Sequence, residues 1–113
     1  MTPEEQLHIT VADYLKTCCP KLVWCHVPNG GQRNAIVGAK LKRMGCLAGW
    51  PDLQFVRDGK LHCIELKRPD KKPRLSASQE AVREALEHEG VPYAVCNSLE
   101  AVQGALKAWR LNG

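Results

Sequence analysis

The sequence predicts an α/β (α+β) fold in which a mixed β-sheet is flanked by helices. Helical and strand-like apolar patterns alternate along the 113 residues, in the order α-β-α-β-β-α-β-α. Two of the strand-like segments are separated by Asp58-Gly59, a dipeptide typical of two-residue type I′ hairpin turns. With 44% hydrophobic and 25% charged residues, the chain has a globular composition, and we expect one domain over residues 1–113.

Three elements are predicted before the hairpin. The first is a helix of about four turns that begins at Thr2, a suitable N-cap, and has an acidic first turn. A strand over residues 22–27 ends at a Pro-Asn-Gly-Gly turn. A second helix over residues 34–44 stops at Gly45, because glycine readily adopts the left-handed conformation that ends helices.

Five elements follow from the hairpin onward. The hairpin strands are expected at about residues 53–57 and 61–67. Ser76 or Ser78 can cap a helix that reaches about Glu89 and is closed by Gly90. A short strand over residues 92–96 and a helix over residues 98–109 complete the predicted order.

The composition also indicates where the protein works. No stretch approaches the roughly 20 apolar residues of a membrane span, and the first residues lack a signal-peptide layout. We therefore expect a cytoplasmic protein. The six cysteines form no C-x-x-C pair and are expected to be reduced and mostly buried. A zinc site from Cys18, Cys19, Cys25 and His26 lacks ordinary ligand spacing, and His26 is expected to be structural.

The hairpin is predicted to bring two carboxylates together. A two-residue turn sets Asp52 opposite Glu65, and strand alternation places Lys67 on the same face, away from the apolar face of Leu53 and Leu66. Opposed carboxylates repel unless one takes up a proton or a cation lies between them. A hard divalent ion suits oxygen ligands, and a nearby lysine can stabilise charge on a phosphate, which indicates phosphodiester hydrolysis. The alternative is a surface salt-bridge cluster.

The residues around this hairpin resemble a known nuclease signature. Pro51-Asp52, twelve intervening residues and Glu65-Leu66-Lys67 resemble the PD-(D/E)XK motif, and the details resemble its VRR-Nuc branch. The series that carries the resemblance is E-x-x-L-H, W-C-H-V-P-N-G-G, A-x-x-G-A-K-L-K-R-M-G, G-W-P-D-L, I-E-L-K-R-P and L-S-A-S-Q. The resemblance implies a restriction-endonuclease-like core and a metal-dependent endonuclease.

The resemblance also implies a set of site residues. The catalytic set is Glu4, Asp52, Glu65, Lys67 and Gln79; Asp52, Glu65 and the backbone carbonyl of Leu66 are the ligands for Mg²⁺ or Mn²⁺. Helical spacing from Leu7 and Val11 favours Glu4 as the acid of the first helix, although Glu5 stays open. Gln79 has the alternative of being a solvated residue in the first turn of its helix.

Basic residues cluster in two segments of this chain, whose net charge is +4. Such clusters can follow phosphates, although a solvated basic face is the commoner meaning of a charge run. Asn29 and Gly30 are interpreted mainly as turn residues, and contact of their backbone amides with a phosphate is the alternative. The candidate DNA-binding residues are Asn29, Gly30, Arg33, Lys40, Lys42, Arg43, Lys71, Lys72 and Arg74.

The stand-alone phage and bacterial members that the chain resembles imply a particular substrate. We expect a homodimer that cleaves branched DNA, including Holliday junctions, in replication, repair or recombination in a bacterial or phage-infected cell. The alternatives are a nuclease of flap or duplex DNA and a non-catalytic DNA-binding module on the same fold.

Overall fold

The described part of the chain, residues 1–28 and 34–112 of a computed structural model, contains the eight elements in the predicted order. The mixed α+β class is thereby confirmed, and the predicted boundaries are correct to within about one residue at most ends. The elements are α1 (Pro3–Cys18), β1 (Val23–His26), α2 (Ala35–Arg43), β2 (Leu53–Arg57), β3 (Lys60–Leu66), α3 (Ala77–His88), β4 (Tyr93–Cys96) and α4 (Leu99–Ala108).

The four strands form one mixed sheet in the order β1-β2-β3-β4. The β1–β2 and β2–β3 pairs are antiparallel, and β3 and β4 are parallel because α3 crosses between them. Asp58 and Gly59 have φ angles of 54° and 75°, as a type I′ turn requires. The turn sets Leu53 opposite Ile64, which is the predicted register.

Side-chain caps explain why the helices begin where they do. The Thr2 hydroxyl accepts a hydrogen bond from the Glu5 N–H, and the Glu5 carboxylate accepts one from the Thr2 N–H. The same reciprocal arrangement joins Ser76 to Gln79 at the start of α3. Of the two serines that could cap this helix, Ser76 is therefore the cap.

Apolar packing covers both faces of the hairpin. Helices α1 and α4 lie over the face predicted to be core, and α3 covers the other face near Cys63 with Val82 and Leu86. The second face, predicted to carry the site, also carries a smaller core, because α3 needs an apolar surface on which to pack. The main core contains Leu7, Val11, Leu15, Cys19, Leu22, Leu53, Phe55, Ile64, Leu66, Cys96, Val102, Leu106 and Leu111.

The cysteines are less buried than the sequence suggests. All six are free thiols, but Cys18, Cys25 and Cys46 are exposed, so the expectation of mostly buried thiols is wrong for half of them. Cys18 and Cys25 sit at the end of a helix and on an edge strand, where apolar periodicity does not guarantee cover. Across the described residues, the helices lack the combination of length and apolarity needed to cross a membrane.

Gly49, in the loop before β2, lets the chain pass close to the start of α3. Its φ is 88°, and a Cβ atom built on it would lie 2.5 Å from the Ser78 carbonyl carbon and 2.8 Å from the Gln79 nitrogen. Gly45 also has a positive φ, 100°, but a Cβ there would meet nothing within 4 Å. Glycine at position 49 is thus required by both backbone conformation and space.

We expect Gly49→Ala to destabilise the protein by about 3 kcal/mol, because it adds a steric clash to the cost of a left-handed alanine. Gly45→Ala is the matched control and should cost only about 1–2 kcal/mol, the conformational part. Urea unfolding of both variants measures the difference. Equal destabilisation of the two variants would show that the close approach of Gly49 to α3 does not affect stability.

Candidate active site

The acidic residues and the lysine predicted from the hairpin line one pocket of about 250 Å³ at the end of the sheet. The start of β2, the end of β3 and the first turns of α1 and α3 meet there. The lining residues are Glu4, Gly49, Trp50, Asp52, Glu65, Lys67 and Gln79. All five side chains of the predicted catalytic set are therefore brought together.

Asp52 is held in place by the backbone on both sides of it. Its Oδ2 atom accepts a hydrogen bond of 2.7 Å from the Leu66 N–H, and its own carbonyl accepts one of 2.7 Å from the Val27 N–H. The preceding residue, Pro51, is buried. These contacts fix the carboxylate at the end of β3, one position beyond the last β2–β3 pair.

Glu65 is the buried member of the acidic pair. Its side chain is 5% exposed. Its Oε2 atom accepts a hydrogen bond from Gln79, whereas its Oε1 atom has no hydrogen-bond partner among the described residues. Burial raises the pKa of Glu65 well above its ordinary value, and the adjacent Asp52 carboxylate raises it further, while Lys67 opposes both effects. The pair is thus poised to hold either a proton or a cation.

Gln79 connects the lysine, the glutamate and the start of α3. Its Oε1 atom accepts hydrogen bonds from Lys67 Nζ at 2.7 Å and from the Ser76 N–H at 2.9 Å. Its Nε2 atom donates to Glu65 Oε2 at 3.1 Å. Lys67 Nζ lies 3.9 Å from Glu65 Oε2, so the amide, and not a close ion pair, aligns these two side chains. The solvated alternative for Gln79 is not what the structure shows.

The two glutamates of α1 have different environments. Glu4 is partly buried and lines the pocket beside Asp52 and Glu65. Glu5 is exposed and its carboxylate is used to cap the helix, which lowers its pKa through the hydrogen bonds with Thr2. Of the two, Glu4 has the position that helical spacing predicted for the additional acid.

The pocket fits a hard divalent cation. Its anionic groups are the carboxylates of Glu4, Asp52 and Glu65, and such oxygen ligands suit Mg²⁺ or Mn²⁺. The buried, unpartnered Oε1 atom of Glu65 is a group that a cation would satisfy. Leu66 presents its N–H to Asp52, and the predicted role of its carbonyl stays a prediction.

Two histidines lie on the other side of Asp52. His8 in α1 and His26 at the end of β1 have ring centroids 4.5 Å apart, and His8 Nε2 is 3.9 Å from Asp52 Oδ1. The sequence prediction left both outside the site. The residues are far apart in sequence, and the order of the strands could not be read before the structure, so no periodic signal joined them.

The predicted DNA-binding residues fall into three places. Asn29, Gly30 and Arg33 lie outside the described residues. Lys40, Lys42 and Arg43 are exposed on α2. Lys71, Lys72 and Arg74 are exposed in the loop between β3 and α3, where they line a surface pocket. Their role in binding stays a prediction.

The mixed sheet flanked by helices, with acids and a lysine gathered at one end, is the arrangement to be compared with known families. The family model of the VRR-NUC domain matches residues 2–100. The chain therefore belongs to the VRR-NUC domain family, and the resemblance read from its motifs is confirmed. Nucleases of this kind generally use divalent metal ions.

Solved structures agree with this assignment. One described as a VRR_NUC domain protein is 26% identical, with a TM-score of 0.76, and the match covers 98% of this chain and 90% of that one. Another, described as a VRR_NUC domain, is 15% identical, with a TM-score of 0.66 over 96% of this chain and 99% of that one, and shows the fold alone. No curated protein matches the sequence.

The raised pKa of Glu65 predicts how the metal-free protein responds to pH. Between its unfolded and folded pKa values, the folded state holds a proton that the unfolded state lacks, so stability falls as pH rises. The Glu65→Gln variant lacks this pH dependence. The unfolding free energy of the variant, relative to that of the wild type, should therefore increase by up to about 1.4 kcal/mol per pH unit above pH ~4.5.

Urea unfolding in EDTA, at several pH values from mildly acidic to mildly alkaline, measures this difference. Glu84→Gln removes an exposed carboxylate from α3 and is the matched control for the loss of one charge. A stability difference between wild type and Glu65→Gln that stays constant with pH would contradict the burial argument.

Proposed function

We propose that this chain is a Mg²⁺- or Mn²⁺-dependent endonuclease that hydrolyses phosphodiester bonds in branched DNA. The observation that carries the proposal is buried Glu65 beside partly buried Asp52, with Lys67 in the same pocket. A buried carboxylate held beside a second carboxylate opposes folding unless a proton or a cation compensates the charge. A cation site beside a lysine is suited to phosphate chemistry.

Each residue of the pocket has a role in this proposal. Asp52, Glu65 and the Leu66 carbonyl hold the cation, which when bound supplies Lewis-acid activation and neutralises charge on the phosphate. Glu4 adds a further carboxylate to the same pocket.

Lys67 and Gln79 act on the phosphate side of the same pocket. Lys67, whose side chain is 20% exposed, can donate to a phosphate oxygen and stabilise the negative charge that develops there. Gln79 fixes the lysine before substrate arrives, because its own position is set by the cap of α3.

Exposed basic residues support DNA as the substrate. Those on α2 and in the β3–α3 loop offer charges to phosphates, and none of the described elements resembles a base-reading helix. Binding through phosphates and shape favours recognition of branched DNA, including Holliday junctions, over a particular sequence. We further propose that the protein acts in DNA replication, repair or recombination. This activity would take place in the cytoplasm of a bacterial or phage-infected cell.

An unpartnered apolar face supports the proposal of a homodimer. No residue of α2 is buried, and Ile36 and Met44 on or beside it are 81% and 72% exposed. Exposed apolar side chains that cluster on one element often mark an interface between proteins. A two-fold dimer would place two sites on one junction, which suits paired cleavage of two strands.

We expect Asp52→Asn and Lys67→Ala each to reduce cleavage of a labelled four-way junction at least ~100-fold, with binding largely retained. The reason is that Asp52 holds the cation and Lys67 stabilises charge on the reacting phosphate, whereas DNA binding is assigned to the exposed basic residues of α2 and of the β3–α3 loop. Gel assays with Mg²⁺, Mn²⁺ or EDTA, on four-way, flap and duplex DNA, measure cutting and binding separately. Lys107→Ala, at the end of α4, is the matched lysine control.

Two results of these assays would count against the proposal. Wild-type binding without metal-dependent cutting would indicate a non-catalytic module, and undiminished cutting by either site variant would place the centre elsewhere. Preferred cutting of flap or duplex DNA would keep the nuclease and overturn the branched-junction substrate.

We expect Ile36→Glu and Met44→Glu to convert the dimer into a monomer, because each buries a charge in the proposed interface. Light scattering of the purified protein measures the mass. Val23→Glu, an equal change at an exposed position on β1, is the control and should leave the dimer intact. A monomeric wild type, or a dimer broken only by Val23→Glu, would overturn the assignment to α2.

A further inference from the structure

His8, His26 and Asp52 form a cluster that the nuclease roles leave unexplained. One potential ligand atom from each of the three residues lies within 4.8 Å of the others. The three residues come from α1, the end of β1 and the residue before β2, and they share a surface pocket of about 400 Å³. Among residues 1–28 and 34–112, no other three His, Cys, Asp or Glu residues have ligand atoms this close; the three carboxylates of the active-site pocket are more widely spaced.

The fold holds the three side chains in place through backbone pairing. His26 is opposite Leu53 in the β1–β2 ladder, and the Val27 N–H continues the pairing to the Asp52 carbonyl at 2.7 Å. His8 follows Leu7, whose buried side chain anchors that turn of α1 in the core. The cluster is therefore built on a helix, a strand end and the residue that adjoins β2.

The two carboxylate oxygens of Asp52 have different neighbours. Oδ2 accepts the Leu66 N–H, whereas Oδ1 faces His8 Nε2 across 3.9 Å. A gap of 3.9 Å is too long for a hydrogen bond. Two ligands that each lie about 2.1 Å from one ion are at most roughly 4.2 Å apart, so this pair already has a suitable separation. All three ligand atoms lie within 4.8 Å of one another, so side-chain rotations on the order of 1 Å would bring them to one ion.

The ligand chemistry differs from that of the all-carboxylate pocket. Two imidazole nitrogens and one carboxylate oxygen favour borderline transition metals such as Zn²⁺, Co²⁺ or Ni²⁺, whereas Mg²⁺ and Mn²⁺ prefer oxygen ligands. The pocket is open on one side, since His26 is exposed, and it leaves room for water in the remaining coordination positions. We propose that His8, His26 and Asp52 bind one divalent transition-metal ion.

This site goes beyond the proposed nuclease function and does not depend on it. Asp52 is common to both groups of ligands, so an ion at the histidines would lie beside the pocket of Glu65 and Lys67. The histidines themselves are not used in the proposed hydrolysis. Binding can therefore be measured without DNA, and a failed nuclease assay leaves this proposal standing.

The test is a titration of tag-free protein with Co²⁺ in excess Mg²⁺, followed by visible absorption and calorimetry. We expect one Co²⁺ per chain that Mg²⁺ does not displace, and at least a tenfold loss of affinity in His8→Gln and in His26→Gln. His88→Gln, at the exposed end of α3, is the matched control and should bind as wild type does. Unfolding midpoints of all variants show that the fold is kept.

Two outcomes would overturn the proposal. One is that excess Mg²⁺ removes all Co²⁺ from the wild type, because the ion would then occupy only oxygen ligands. The other is that both histidine variants, folded as wild type, bind Co²⁺ with unchanged affinity.

Discussion

The forced proximity of Asp52 and Glu65 is the constraint on which the site depends. The type I′ turn fixes the hairpin register, and the Leu66 N–H then holds Asp52 at the end of the strand that carries Glu65. Burial removes the Glu65 carboxylate from water and the adjacent Asp52 carboxylate repels its charge, so the pKa of Glu65 is raised. The fold thus holds the two carboxylates in a repulsive arrangement that a bound cation can neutralise.

Helix α3 supports this acidic pair from the second face of the sheet. Gln79 reaches from its first turn to both Lys67 and Glu65, and Ser76 fixes that amide through the helix cap. The loop at Gly49 passes close enough to hold the start of the helix against the pocket. Gln79 therefore both caps the start of α3 and holds the Lys67 ammonium in position.

Asp52 also lies where two layers of the protein meet. Glu65, Lys67 and Gln79 lie toward α3, whereas His8 comes from α1 on the other side of the sheet. A residue at the open end of a hairpin can be approached from both faces, because the sheet no longer separates them. This position explains how one carboxylate can belong to an oxygen-ligand pocket and to a histidine cluster.

Local chemistry in the sequence determined the order of elements, the Thr2 cap, the hairpin register and the gathering of Asp52, Glu65 and Lys67. These features depend on neighbours in the chain or on a turn of fixed length, so residue type and spacing suffice. The convergence of His8 and His26, the smaller core under α3 and the need for Gly49 were decided by the tertiary structure. Each depends on the distance between elements remote in sequence, which side-chain packing sets and no local pattern encodes.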